Sequence, residues 1–297
     1  MNKLRKRFIV FNVAIIGAIV AFVAVLIFFA SSAQMTATRL ISVAIVMLLL
    51  VLIGSALSSK IAMKPIQASW QRQLDFTADA SHELRTPLAV IQTNLELVMD
   101  NPQETVGDQL KWLDNMHRET VRMTQLVDNL LTLSRGDAGA KALEYSLFSL
   151  VAVAEETAAL FRPAANQKGI DIAIQIEANA DIQLWADVSR IRQLLAILVD
   201  NAVKYMGKPG CITIALSQSS HDVQVLVSDT GNGIEPEHLA RIFDRFYRAG
   251  QQRAEGFGLG LPIAEWIAKE HGGSIRATSV VGKGACFRAC FPAARKV

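Results

Sequence analysis

The chain has 297 residues, 51% of them hydrophobic, with a formal net charge of +3 and a positive mean hydropathy of +0.29. That length allows two or three domains. The charge is too small to argue for a nucleic-acid partner, and the hydropathy points to membrane segments. The three cysteines, Cys211, Cys286 and Cys290, form neither a metal nor a redox spacing. They read as reduced, half-buried strand residues.

Phe8 to Ala30 is an apolar run of 23 residues in which Asn12 is the strongly polar exception. At about 1.5 Å per residue it can cross a bilayer about 30 Å thick. Leu40 to Leu57 is a second run, of 18 residues, and the nine residues Ser31 to Arg39 separate the two. Lys3, Arg5, Lys6 and Arg7 precede the first run, and Lys60 and Lys64 follow the second. The positive-inside rule therefore puts both ends in the cytoplasm. Ser31-Ser32-Ala33 could pass for a leader cleavage site, but the apolar core ahead of it is too long for one. The expectation is a membrane α-helical hairpin, residues 8–30 and 40–57, within a first domain of residues 1–61. A nine-residue loop is too short to enclose a ligand. A signal would then act through the membrane helices, from the lipid or from a membrane accessory protein.

Residues 62–141 read as a second domain. The first long helix is expected from about Pro65 to Met99, stopping at the turn Asp100-Asn101-Pro102. Its seam is Leu74, Leu84, Leu88, Ile91, Leu95 and Val98, with Thr77 and Ser81 filling the register. A second helix is expected from about Glu104 to Ser134, with Leu113, Met116, Thr120, Met123, Val127 and Leu130 as its seam. Such a hairpin leaves an apolar stripe open, and pairing two copies into a four-helix bundle closes it. The sequence thus implies a homodimer. Arg135 to Lys141 reads as a hinge.

Residues 76–88 of the first helix read FTADASHELRTPL. His82 falls one position after the seam residue Ser81, so its imidazole should point outward rather than into the core. An exposed imidazole beside the Glu83 carboxylate suits a nucleophile whose second ring nitrogen needs an acceptor. Pro87 lacks an N–H for the carbonyl of Glu83 and should bend the helix one turn past His82. A kinked bundle helix without chemistry would carry the same proline. The complete string, however, resembles the phospho-acceptor box of bacterial sensor histidine kinases. That resemblance implies that His82 takes the phosphoryl group, that Glu83 orients or deprotonates it, and that Thr86 helps position water for dephosphorylating a response regulator.

Residues 142–297 alternate strand-like and helix-like stretches, the pattern of an α/β sandwich. Ala152 to Phe161 and Val188 to Tyr205 read as helices. Ile170 to Ile176, Ile212 to Leu216, Val223 to Ser228, Ser274 to Ser279 and Cys286 to Phe291 read as strands, and Arg248 to Gly258 as a mobile loop. Four motifs follow in order: Asp200-Asn201-Ala202-Val203-Lys204-Tyr205, Asp229-Thr230-Gly231-Asn232-Gly233, Ile242 to Arg248, and Gly256-Phe257-Gly258-Leu259-Gly260-Leu261. A fifth, Gly282-Lys283-Gly284, sits in the final hairpin. Asp229 at a strand end can accept a bond from an adenine amino group, and Gly231 and Gly233 let backbone approach the base. Gly258 and Gly260 expose amides where phosphate oxygens bind. Asn201 offers a hard oxygen ligand for Mg²⁺, and Lys204 and Arg248 can neutralise phosphate charge.

Together the motifs resemble the Bergerat-type ATP-binding domain of histidine kinases, shared with gyrase-type ATPases. The resemblance covers about Pro65 to Pro292. It implies that Asn201 chelates magnesium, Asp229 holds adenine, Lys204 and Arg248 contact phosphates, and Tyr205 packs by the base. Phe243 and Phe246 would anchor the loop, and Gly256, Gly258 and Gly260 would form its hinge. The family usually has an asparagine one turn before Asn201, where this chain has Ile197, and a small residue where Glu255 stands. The remaining histidines, His117, His221, His238 and His271, lack partner spacing and read as surface or capping residues.

The expected protein is a multi-pass histidine kinase of the bacterial plasma membrane. It would use ATP and Mg²⁺ to phosphorylate His82 and pass the group to an aspartate of a response regulator. Two rivals are a pseudokinase that binds nucleotide or regulator without transfer, and a gyrase-type ATPase without phosphotransfer.

Overall fold

The computed structural model describes residues 17, 22–23, 37–138, 143–177, 182–207, 209–249 and 256–293, and the side chains of most of residues 37–72 and of 135–138 are not among them. The chain divides into two compact units, Met1–Ala78 and Asp79–Val297.

Helix α1, Ala37–Asp100, contributes to both units. It runs unbroken from the second apolar run through Ala62 to Asp75 into the heptad segment, a continuity that the sequence allows because nothing between the two stops a helix. Its end falls at the expected turn. There Asn101 Nδ2 donates to the carbonyl of Leu97 at 2.8 Å. Helix α2, Val106–Ala138, opens on a reciprocal cap: Asp108 N–H donates to Thr105 Oγ1 (3.3 Å), and Thr105 N–H to Asp108 Oδ2 (3.2 Å). Gln109, buried in the turn, donates to the carbonyls of Val98 and Asn101 and so satisfies the end of α1 from α2.

The expected seam stays open in the single chain, with Leu88 and Leu95 46% exposed and Val127 42%. The buried leucines of α2 are instead Leu126 and Leu133, one heptad apart. This corrects the reading of α2: it packs against a helix of the sandwich, so it carries a second apolar stripe.

Among the described residues no helix is long and apolar enough to cross a membrane, so the expected membrane hairpin gains no support from the structure. Of the first expected span only Gly17, Phe22 and Val23 are described. The second, Leu40 to Leu57, is helical within α1, but nearly all its side chains lie outside the described residues. The expected hinge and mobile loop are likewise only partly covered, since 139–142 and 250–255 lie outside.

The sandwich begins with β1 (Tyr145–Ser149), α3 (Leu150–Gln167), β2 (Ile170–Ile176), β3 (Gln183–Asp187), α4 (Val188–Tyr205), β4 (Gly210–Gln218) and β5 (Asp222–Asp229). It continues with the short α5 (Pro236–Leu239), α6 (Gly260–Glu270), β6 (Ser274–Val280) and β7 (Gly284–Pro292). The main sheet has the order β2-β4-β5-β7-β6. Only the β2–β4 pair is parallel. Alternate residues of its strands, among them Ile212, Ile214, Val225, Val227, Phe287 and Ala289, are buried. Their opposite neighbours stay partly open, the period-two pattern of a sheet covered on one face.

A small antiparallel sheet of β1 and β3 lies apart and was not expected from the sequence. Its Tyr145 stacks on Trp185. His271 ties it to the end of α6: ring Nε2 accepts from Asp187 N–H (3.1 Å), and Nδ1 lies 2.8 Å from the carbonyl of Ile267. His271 is thus a capping residue, and a buried one.

Candidate functional site

Helix α4 is anchored at its start by Asp187, whose Oδ1 accepts from the N–H groups of Ser189 (3.0 Å) and Arg190 (3.2 Å). Burial pushes the Asp187 carboxyl up, but the hydroxyl of Ser189 and the N–H groups of Glu144, Arg190 and Ser189 outweigh that and hold it below its ordinary range. The face formed by Ile191, Leu194, Leu195, Leu198, Val199, Ala202 and Val203 is buried. This fixes the last turn and the three expected site residues on it. Asn201 presents an amide whose Nδ2 is buried and has no hydrogen-bond partner. Lys204 is paired one turn back with Asp200, and Tyr205 is about half exposed.

Asp229 ends β5 and turns its carboxylate back on the backbone. Oδ1 accepts from the N–H of Gly231 (2.8 Å) and from that of Ala285 (3.3 Å). Burial raises its pKa, and those two N–H bonds only partly oppose the rise. Gly284 makes the arrangement possible: at φ +104° its Cβ would stand 1.9 Å from the carbonyl oxygen of Asp229. Gly231 lies against the end of α4, its Cβ position 3.4 Å from the carbonyl oxygen of Tyr205. Gly233 rests on the backbone of Val280.

The aromatic-basic segment folds onto the start of α6. Phe246 takes a positive φ of 60°, and its N–H donates to the carbonyl of Gly258 at 3.0 Å. Gly258, at φ +68°, sits where a Cβ would be 2.7 Å from the Phe246 carbonyl carbon. Phe243 is half-buried beside them. The Arg248 guanidinium donates to the carbonyl of Gly256. Phe257 is buried, with the guanidinium of Arg122 on α2 4.9 Å from its ring centroid. Leu259, 1% exposed, caps α6, and Gly260 starts it. The Gly260 Cβ position lies 3.2 Å from Cγ2 of Ile197 on α4.

His82 is exposed on α1, as its register required, and Thr86 is exposed one turn further on. Glu83 does not hold the imidazole. Its Oε2 lies 3.3 Å from Nη2 of Arg248, each side chain 33% exposed.

The structure therefore gathers Tyr205, Asp229 and Gly231 around one end of α4, and Ile197 and Gly260 along its side. Arg248 is engaged with Glu83 on α1, and Lys204 is occupied by Asp200. Among the described residues this arrangement can hold a polar base at a half-buried carboxylate and an anion at the first-turn amides of α6. The unbonded Asn201 amide fits a role as ligand to a hard cation or donor to an oxyanion. Two contributors went unassigned in the sequence. Gly284 of the fifth motif lets Ala285 reach Asp229, a pairing that no local pattern marks. Arg122 carries no local signal at all. Elsewhere, the carboxylates of Glu235 and Glu237 lie within 4.0 Å of His238 Nε2, while His238 Nδ1 is bonded to the hydroxyl of Tyr247.

Residues 72–139 match the His Kinase A (phospho-acceptor) domain, and residues 186–295 match the Histidine kinase-, DNA gyrase B-, and HSP90-like ATPase family. Sensor histidine kinase RppB of Synechocystis sp. is 33% identical over 235 residues, 78% of this chain and 52% of RppB. The chain thus spans about half the length of that curated relative. ShkA, solved full-length in complex with AMPPNP, is similar with a TM-score of 0.57 and 28% identity, over 73% of this chain and 45% of that one. Histidine kinase ThkA, in complex with response regulator protein TrrA, is similar with a TM-score of 0.61 and 26% identity, over 76% of this chain and 64% of that one.

Proposed function

This chain belongs to the sensor histidine kinases, and from that premise we propose that it phosphorylates itself on His82 and passes the group to an aspartate of a response regulator. The observation that carries the proposal is the exposed His82 beside Glu83, with Glu83 bonded to Arg248 of the nucleotide-binding part. Acceptor and donor sites thus belong to one compact unit.

A ring nitrogen of His82 attacks the γ-phosphorus of ATP. The bond to the bridging oxygen breaks and ADP leaves, while Glu83 accepts the proton the ring sheds. Asp229 holds the adenine amino group, Tyr205 packs by the base, and Gly231 and Gly233 let backbone approach it. Lys204 and Arg248, once released from their carboxylates, face the phosphates, and the amides from Gly258 to Gly260 take their oxygens. Gly256 serves as hinge, Phe243 and Phe246 as anchors. Asn201 would hold Mg²⁺, which would supply charge neutralisation to the transferring group. Thr86 positions water for dephosphorylation of the regulator.

The open seam of Leu88, Leu95 and Val127 supports a homodimer. The apolar runs 8–30 and 40–57 support a membrane anchor with both termini cytoplasmic, in contact with lipid and with a membrane accessory protein. Residues 1–61, 62–141 and 142–297 are then anchor, dimerisation and phosphotransfer domain, and ATP-binding domain.

The test follows the γ-phosphoryl group after Mg-ATP is added to the full chain in detergent, with a receiver domain present. The expected course is retention on the chain, then discharge to the receiver. Release as inorganic phosphate with no labelled chain would make the protein a plain ATPase.

A further inference from the structure

Ile197 and Asn201 stand four residues apart on α4, on one face of the helix. The ethyl and methyl branches of Ile197 offer no hydrogen bond, and its Cγ2 lies 3.2 Å from where a Cβ on Gly260, the first residue of α6, would stand, so the two helices meet closely there. One turn on, the Asn201 amide has its Nδ2 buried with no partner. The next polar groups on the helix do not serve it, since Asp200 and Lys204 pair with each other.

We infer that Ile197 is a positioning residue of the nucleotide site with two effects: it seats the first turn of α6, and it leaves the Asn201 amide to be oriented only by what binds. The inference rests on the nucleotide reading given above and deepens it. A side chain seated against Gly260 holds the first-turn amides of α6 at a fixed distance from α4, whether or not an ion is present. No hydrogen bond from the protein fixes the orientation of the Asn201 amide through Nδ2 before a phosphate oxygen or a cation engages it. Ordering it then subtracts from the affinity gained through the ion. A divalent cation should therefore strengthen nucleotide binding only modestly in this chain, with direct phosphate contacts carrying most of the affinity.

The two effects separate in calorimetric titration of the full chain in detergent with ADP, once with Mg²⁺ and once with EDTA. Ile197→Asn places an amide one turn from Asn201 and gives it a partner. The expected result is a Mg²⁺-dependent gain in ADP affinity at least about threefold larger than in the wild type, as expected when a ligand is pre-organised. Ile197→Ala empties the seat against Gly260 without supplying a partner. It should weaken ADP several-fold in both conditions and leave their ratio unchanged. An unchanged ratio in Ile197→Asn, or unchanged ADP affinity in Ile197→Ala, overturns the inference. If the wild-type chain binds ADP in neither condition, the nucleotide reading falls first and the inference with it.

Discussion

Arg248 and Glu83, 165 positions apart in sequence, form an ion pair, Nη2 to Oε2 at 3.3 Å. The pair joins the segment that closes on α6 to the residue beside His82, the proposed acceptor. In the proposed reaction it would set two roles in competition, since the Nη2 and Oε2 that hold each other are then not turned to a phosphate and to His82.

Both groups are about one-third exposed, and pairs of that kind contribute roughly 0–1 kcal/mol. The contact should be weak enough to exchange. A double-mutant cycle with Glu83→Gln and Arg248→Gln, read by thermal unfolding without nucleotide, should give a coupling below about 1 kcal/mol that fades in 1 M salt. Coupling above about 2 kcal/mol would mark a fixed strut instead.

Asp229 carries a raised pKa because its partial burial disfavours the charged form. Its contribution to folding is fully present only below the ordinary value of 3.8 and is lost as pH rises through the raised value. Asp229→Asn keeps an oxygen for the N–H groups of Gly231 and Ala285 and removes the buried charge. At pH 7 the nucleotide-free variant should melt no lower than the wild type, and the difference should close near pH 3.5. ADP affinity should fall roughly 10- to 150-fold, the loss of one hydrogen bond to a charged group. A lower melting temperature with intact ADP binding would assign Asp229 to structure alone.

Asp187 runs the other way. Its lowered carboxyl pKa contributes stability above 3.8 that is lost as pH falls through the folded-state value. Asp187→Ala removes the cap of α4 and should cost about 0.5–2 kcal/mol at pH 7, with the deficit shrinking in acid. Melting curves from pH 7 down to about 3 check both statements.

How much was legible in advance depended on the range of each signal. The outward register of His82 followed from counting along one helix, and the stop at Asp100 from three residues. The five strands of the main sheet announced themselves by alternation. The β1–β3 sheet did not, because Tyr145, Leu147 and Trp185 are exposed apolar residues and the buried alternation is confined to Leu184 and Ala186 on the short β3. The second stripe of α2 was masked by the seam, since Leu126 sits beside the seam residue Val127. Contacts such as Glu83 with Arg248, Arg122 with Phe257, and Ile197 with Gly260 join residues that no local pattern relates. They are properties of the packed chain. The proposed site was readable as a set of residue types; which of them are already occupied by neighbours was not.

Thr86 is exposed one turn from His82. Thr86→Ala should fold at least as well, since alanine is the better helix former, and should still acquire label from ATP. Regulator dephosphorylation should slow about five- to tenfold, the worth of one neutral hydrogen bond. Unchanged phosphatase rates would leave Thr86 without a chemical role.

His82 is the proposed phosphoryl acceptor. Given Mg-ATP labelled on the γ-phosphate, the full chain should take up a group that survives base and is lost in acid, as a phosphoramidate is. Peptide mapping should place it on residues 76–88, and His82→Gln should abolish it while ADP binding persists. Full labelling of His82→Gln, or a label that survives acid, would contradict the account.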